Sequence, residues 1–181
     1  MAMNITVVQY QGRVLVTLLR LAGTLDGSSY LDLIARAKKL YAGGTRHMVI
    51  DLAEVTHLSS AGALAVHQVA MLLRGETPPD PEAGWQAFHA MAEDLNSGIQ
   101  PRIKLLRPQP QVLQALERAG LTALIEIASD LDAAIASFSP VVVAPQPRGR
   151  QSRNRQSLYL RVLELAARVR RTTPAPTPTP C

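Results

Sequence analysis

His47-Met48-Val49-Ile50-Asp51-Leu52-Ala53-Glu54-Val55-Thr56-His57-Leu58-Ser59-Ser60-Ala61-Gly62-Ala63 decides how this chain is read. An apolar strand, Met48 to Leu52, is short enough to be buried on both faces. A short polar turn follows it. Two serines then open an Ala-rich apolar helix that runs to about Leu73. Such a turn places a hydroxyl at a helix N-terminus, facing outward. Read with the rest of the chain, the stretch points to a phosphorylatable switch on a small binding domain rather than to an enzyme.

Outward from this stretch, strands and helices alternate. Asn4 to Gln9 and Gly12 to Leu21 read as a hairpin. Gly23 to Ser29 breaks the pattern, and helical spacing begins at Tyr30, with Leu33, Ala37, Leu40 and Tyr41 on one face. Gly43-Gly44 ends that helix. Beyond the loop at residues 74–81, Asp80-Pro81 resembles an N-cap followed by Pro at the first helical position. Trp85, Phe88, Ala92 and Leu95 continue with helical spacing. Arg102 to Leu106 reads as a strand, Pro110 to Ala119 as a helix, and Leu124 to Ile127 as a further strand. Ser129 to Asp132 has the capping-box pattern that opens a last helix through Phe138. The alternation argues for an α/β layer structure. The expected sheet is mixed, with four or five strands and helices mainly on one face.

The 181 residues allow one domain plus extensions, and 47% apolar content supports a core. Aromatics make up 4%, so that core must be aliphatic. No apolar run reaches membrane-spanning length. The N-terminal residues lack signal-peptide character. The single Cys181 forms no intramolecular disulfide, and a reducing cytoplasm fits. The formal charge of +5 is unevenly spread: residues 1–139 carry net −2 and residues 140–181 net +7. Any membrane or nucleic-acid argument therefore concerns the tail.

The expected organisation is a domain over 1–139 with an inserted helical segment at about 76–100, a Pro/Arg-rich linker at 140–156, an amphipathic helix at 157–171, and a disordered tail at 172–181. The helix at 157–171 admits three roles: packing on its own domain, lying on an anionic membrane surface, or non-specific nucleic-acid contact. Its arginines are not arranged to read bases on one face. Glu164 among them suits a solvated, salt-bridged face. In the insertion, Trp85 and Phe88 are read as core anchors, and an interface role for them is the alternative.

Ser59 and Ser60 admit two roles. Ser at a strand-to-helix turn commonly caps the helix. A phosphate there would also be favoured by the free N–H groups and the helix dipole. His47, His57, His67 and His89 show no metal-ligand spacing, so neither metal nor cofactor is expected. No phosphate loop, dinucleotide fingerprint or nucleophile elbow occurs.

The segment Asp51 to Gly62 resembles the signature of STAS domains, the anti-sigma factor antagonists. Leu21-Ala22-Gly23-Thr24-Leu25-Asp26, Val112 to Leu121 and Asp130 to Ala134 resemble further family segments in the same order, over about residues 4–138. The commoner signature has Asp at position 59 and Ser at position 61, where this chain has Ser59 and Ala61. The resemblance implies that Ser60 is the phosphorylated residue. It implies partner switching: the unmodified domain binds a kinase-like anti-sigma factor and frees a sigma factor, and phosphorylation ends the complex. A phosphatase would reset the switch. The implied partner face comprises Asp26, Thr56, Leu58, Ser59, Ser60, Ala61 and Gly62. Asp26 also reads as a helix-initiating turn residue, Asp51 as a strand-end cap, and Thr56 as a solvated turn residue or second phospho-acceptor. A non-switching scaffold or sensor module of the same fold is the alternative. Oligomeric state is left open by the sequence.

Overall fold

The computed structural model of the chain describes residues 3–83, 85–95 and 97–138, and of Trp85 the backbone alone. The expected linker, amphipathic helix and tail lie outside the described residues, as does the anchoring role assigned to the Trp85 side chain.

Eleven elements follow in order among the described residues: β1 (Asn4–Gln11), β2 (Leu15–Leu25), α1 (Tyr30–Ala42), β3 (His47–Leu58), α2 (Ser60–Arg74), α3 (Trp85–Asp94), β4 (Ile103–Leu106), α4 (Pro110–Arg118), α5 (Leu121–Leu124), β5 (Glu126–Ala128) and α6 (Leu131–Ala136). The five strands form one mixed sheet in chain order. The β1–β2 hairpin is antiparallel and the remaining pairings are parallel. This is the expected α/β architecture.

Strand alternation sorts side chains onto two faces. Leu19, Leu21, Met48, Ile50, Leu52, Ile103 and Leu105 point to the main core, where α1, α2 and α4 cover them. Val16, Leu18, Val49 and Leu106 point to the other face and meet α6 and Phe138. Helix α2 buries ten of its residues, from Gly62 to Leu73. That near-total burial explains its Ala-rich, all-round apolar composition. It ends at Gly75, whose φ of 90° is left-handed and whose N–H bonds Leu72 O. Gly relieves the Cβ clash that this conformation imposes on other residues.

Four expectations need correction. The segment after Leu52 is no turn, because β3 continues to Leu58 alongside β2, with register irregularities at Ala22 and Thr24. Ladder hydrogen bonds to β2 outweigh the polar composition of this segment. Asp51 is consequently mid-strand rather than a strand-end cap. Helix α3 starts at Trp85, not Pro81: Asp80 Oδ1 accepts from Glu82 N at 2.9 Å, and Ala83 N donates to Asp80 O, closing a separate turn. Leu124 belongs to a one-turn helix, closed by Ile125 N donating to Leu121 O at 2.8 Å, and β5 starts two residues later.

Asp51 is 1% exposed and sits on the face away from α1 and α2. Its Oδ2 accepts from Arg107 at 2.7 Å and lies 3.5 Å from Arg20, its neighbour across the β2–β3 ladder. Oδ1 accepts from Ala53 N at 3.1 Å. Arg107 has a left-handed φ of 48°, a strained conformation for a side chain of this kind. Its ion pair with Asp51 and its N–H bond to Ala128 O hold it there.

Candidate functional site

Two strand ends build the turn that carries Ser59 and Ser60. Ser59 N donates to Leu25 O at 3.0 Å, which brings the loop after β2 beside the start of α2. Ser59 has extended backbone, and its Oγ accepts from Gly62 N at 3.2 Å. Ser59 is therefore the N-cap. Ser60 is the first helical residue, it is exposed, and its side chain forms no hydrogen bond among the described residues. The capping role thus falls on Ser59 and leaves the Ser60 hydroxyl outside the cap. The first turn of α2 carries no acidic side chain, so nothing there opposes an added anion. Ser59→Ala is expected to lower stability by about 1 kcal/mol, read from the urea unfolding midpoint.

The other predicted contact residues take distinct positions. Asp26 opens the loop to α1: its Oδ1 accepts from Ser28 N at 2.8 Å and Ser28 Oγ at 2.6 Å. These bonds hold its carboxyl below the usual aspartate value, with a smaller contribution from His57. Thr56 is exposed, and its hydroxyl donates to Gly23 O at 3.3 Å. Leu58 and Gly62 are buried and Ala61 is half-buried, so they shape the turn from within. Thr56 O also accepts from Gln111, and Ala53 O from Gln109, which tie the start of α4 to β3.

Sequence reasoning missed what the inserted helix does here. Helix α3 buries Ala87 and Met91 and leaves Phe88 half-buried against the core, so Phe88 packs as an anchor. Phe88 and Ala92 of α3, with Leu95 just beyond it, face a groove of about 600 Å³ that opens beside Ser59 and Ser60. Ala115 and Arg118 of α4 form the opposite wall. The helical spacing of Phe88, Ala92 and Leu95 was visible in the chain; that these residues line a groove beside Ser60 was not.

A buried polar cluster fastens α3 to α2. His67, with no exposed surface, bonds Asp94 at 2.9 Å through Nε2. Arg74 donates to both Asp94 oxygens at 2.9 and 2.8 Å, and to Glu76 at 2.6 Å. Burial lowers the proton affinity of His67 below the ordinary 6.5, against the opposing pull of Asp94. Burial alone would raise the Asp94 carboxyl, but hydrogen bonds from Arg74, Ser97 and His67 outweigh it and lower it. The unfolded chain therefore protonates position 67 more readily than the folded one. The His67 contribution to stability is full above pH 6.5 and is lost as pH falls from there through the folded value. The expected result is a urea midpoint that drops as pH is lowered below about 6.5, with a shallower drop in His67→Asn.

Among the described residues, no group of three His, Cys, Asp or Glu side chains is placed to hold a metal ion. No described helix is long and apolar enough to cross a membrane.

Residues 5–75, which run from β1 through α2 and include the turn after the third strand, match the STAS domain family. The structure is similar to an anti-sigma factor antagonist from Mycobacterium paratuberculosis, at 15% identity and a TM-score of 0.53, over 76% of this chain and 94% of that one. It also aligns with the Bacillus cell fate determinant SpoIIAA in the phosphorylated form, at 17% identity and a TM-score of 0.46, over 72% and 96% of the two chains. The first of these likenesses establishes the fold. No curated protein matches the sequence.

Proposed function

We propose that this chain is an anti-sigma factor antagonist-like binding module whose partner docking is gated by phosphorylation of Ser60. The observation that carries the reading is the division of labour at the turn. Ser59 Oγ is committed to the cap, whereas the Ser60 hydroxyl is exposed and unbonded at the helix N-terminus. A kinase can reach it without unfolding the turn. A phosphate there adds about −1.5 to −2 charges to a face bordered by Leu58 and the apolar groove, so a docked partner must be repelled or its contact surface rehydrated.

The partner is an anti-sigma factor of the serine-kinase type, with a phosphatase to reverse the modification, in the cytoplasm. The module acts by binding and release rather than by turnover. Ser60 takes the phosphate, and the exposed edge formed by Asp26, Thr56 and the start of α2 makes the contact.

The test combines peptide mass spectrometry of protein from its own cells with capture of partners by Ser60→Ala and Ser60→Glu baits. The expected result is one phosphate on Ser60, with an anti-sigma factor held by the Ala bait and released by the Glu bait. Equal capture by both baits would replace the switch with a constitutive scaffold.

A further inference from the structure

The groove beside Ser60 has features that a protein–protein switch does not use. Its volume of about 600 Å³ falls in the range of small-molecule sites, roughly 300–1,000 Å³. Three helices converge on it. Ala63 of α2, Phe88 and Met91 of α3, Leu95 just beyond α3, and Ala115 of α4 make its walls apolar. Arg118 is the one charged residue in the lining. It is exposed, and among the described residues its side chain has no ion pair or hydrogen bond. The hydroxyls of Ser59 and Ser60 complete the polar part of the lining. Four other cations among the described residues are paired with carboxylates: Arg20 and Arg107 with Asp51, Arg74 with Asp94 and Glu76, and Lys104 with Glu126.

We infer that this groove binds a soluble amphiphilic monocarboxylate, with the apolar body between α3 and α4 and the carboxylate on Arg118. Charge complementarity selects the head: an uncompensated guanidinium matches a carboxylate in charge and in its two-pronged geometry. The apolar walls select the body, whose transfer from water supplies affinity in proportion to the area buried. A doubly charged phosphate ester would leave a charge unmatched, because a second cation is missing from the lining. A ligand seated here lies against Ser60. Occupancy therefore shields the hydroxyl from a kinase, and the ligand becomes an input to the switch.

The binding step does not depend on Ser60 being phosphorylated in the cell, so it is tested on the unmodified full-length protein. Octanoate and octan-1-ol, which share a chain and differ in the head, are titrated separately into the protein and followed by amide chemical shifts. Octanoate is expected to give saturable shifts confined to the start of α2, to α3 and to α4, with octanol binding about tenfold more weakly, the loss expected for one charge-assisted contact. Arg118→Gln brings octanoate down to the octanol level and leaves octanol unchanged, whereas Arg118→Lys restores part of the preference. Ala92→Phe, at an exposed position on the groove edge, weakens both ligands. Equal binding of the two ligands, or an octanoate affinity indifferent to Arg118→Gln, overturns the inference. So does an absence of octanoate shifts together with sedimentation on anionic phospholipid vesicles, which would assign the protein a membrane contact instead.

Discussion

Replacing Arg20 and Arg107 together by Met lowers the unfolding free energy by about 3 kcal/mol, because the pair of changes leaves the Asp51 carboxylate buried without a counter-charge. The Asp51 side chain is 2% exposed, while the two arginines are 44% and 49% exposed. Water can resolvate the guanidiniums but not the carboxylate, so the loss falls on Asp51. The same half-exposure screens each pair and places the figure at the low end for a broken buried ion pair. Each single change leaves one arginine in place and costs less than half the total, so the two effects are not additive. Arg107→Met additionally keeps the left-handed backbone without the ion pair that held it. Urea unfolding of the two single variants and the double variant measures this directly. A double variant as stable as the parent would show that the ladder alone holds β2 against β3.

Gly62→Ala has an effect of similar size for a steric reason. A Cβ on Gly62 would collide with the carbonyl oxygen of Leu25 and would lie 2.8 Å from Leu58 Cδ1 and 2.9 Å from Leu25 Cγ. Leu25 O is backbone, and it already accepts from Ser59 N. A rotamer change cannot relieve that contact, so the start of α2 must move away from the end of β2. The expected destabilisation is about 3 kcal/mol, the upper end of overpacking costs. The displaced turn also loses the Ser59 Oγ bond to Gly62 N, which moves Ser60. Gly62→Ala is therefore expected to impair partner capture even under conditions where the variant remains folded. A thermal melt sets the first effect, and capture at low temperature sets the second. Gly98→Ala serves as the comparison, since it has open space around its Cβ position but a left-handed φ of 83°, and it lies away from the turn.

Much of the fold was legible because periodicity reports which residues must be buried. The hairpin, the helix starting at Tyr30 and the helix from Pro110 follow from apolar spacing and from Gly and Pro punctuation. The errors have different causes. Glu54 to His57 is polar, and a polar run reads as a turn, yet it forms strand because β2 runs long enough to pair with it. Asp80-Pro81 has a helix-opening pattern, but its local hydrogen bonds close before a helix begins. In the first place pairing over distance outweighed local preference; in the second a local turn closed ahead of the helix.

The sequence by itself determined the α/β class, the order of elements apart from the one-turn α5, and the two serines at the head of an apolar helix, because each depends on neighbours within a turn or two of chain. Tertiary structure decided which serine is spent on capping and which is free. It also decided that Asp51 is a buried partner of two arginines, and that α3 and α4 leave a groove with Arg118 beside Ser60. These depend on distances between residues far apart in the chain, such as Asp51 and Arg107 or Ser60 and Arg118, which packing of the sheet and helices sets and local sequence does not.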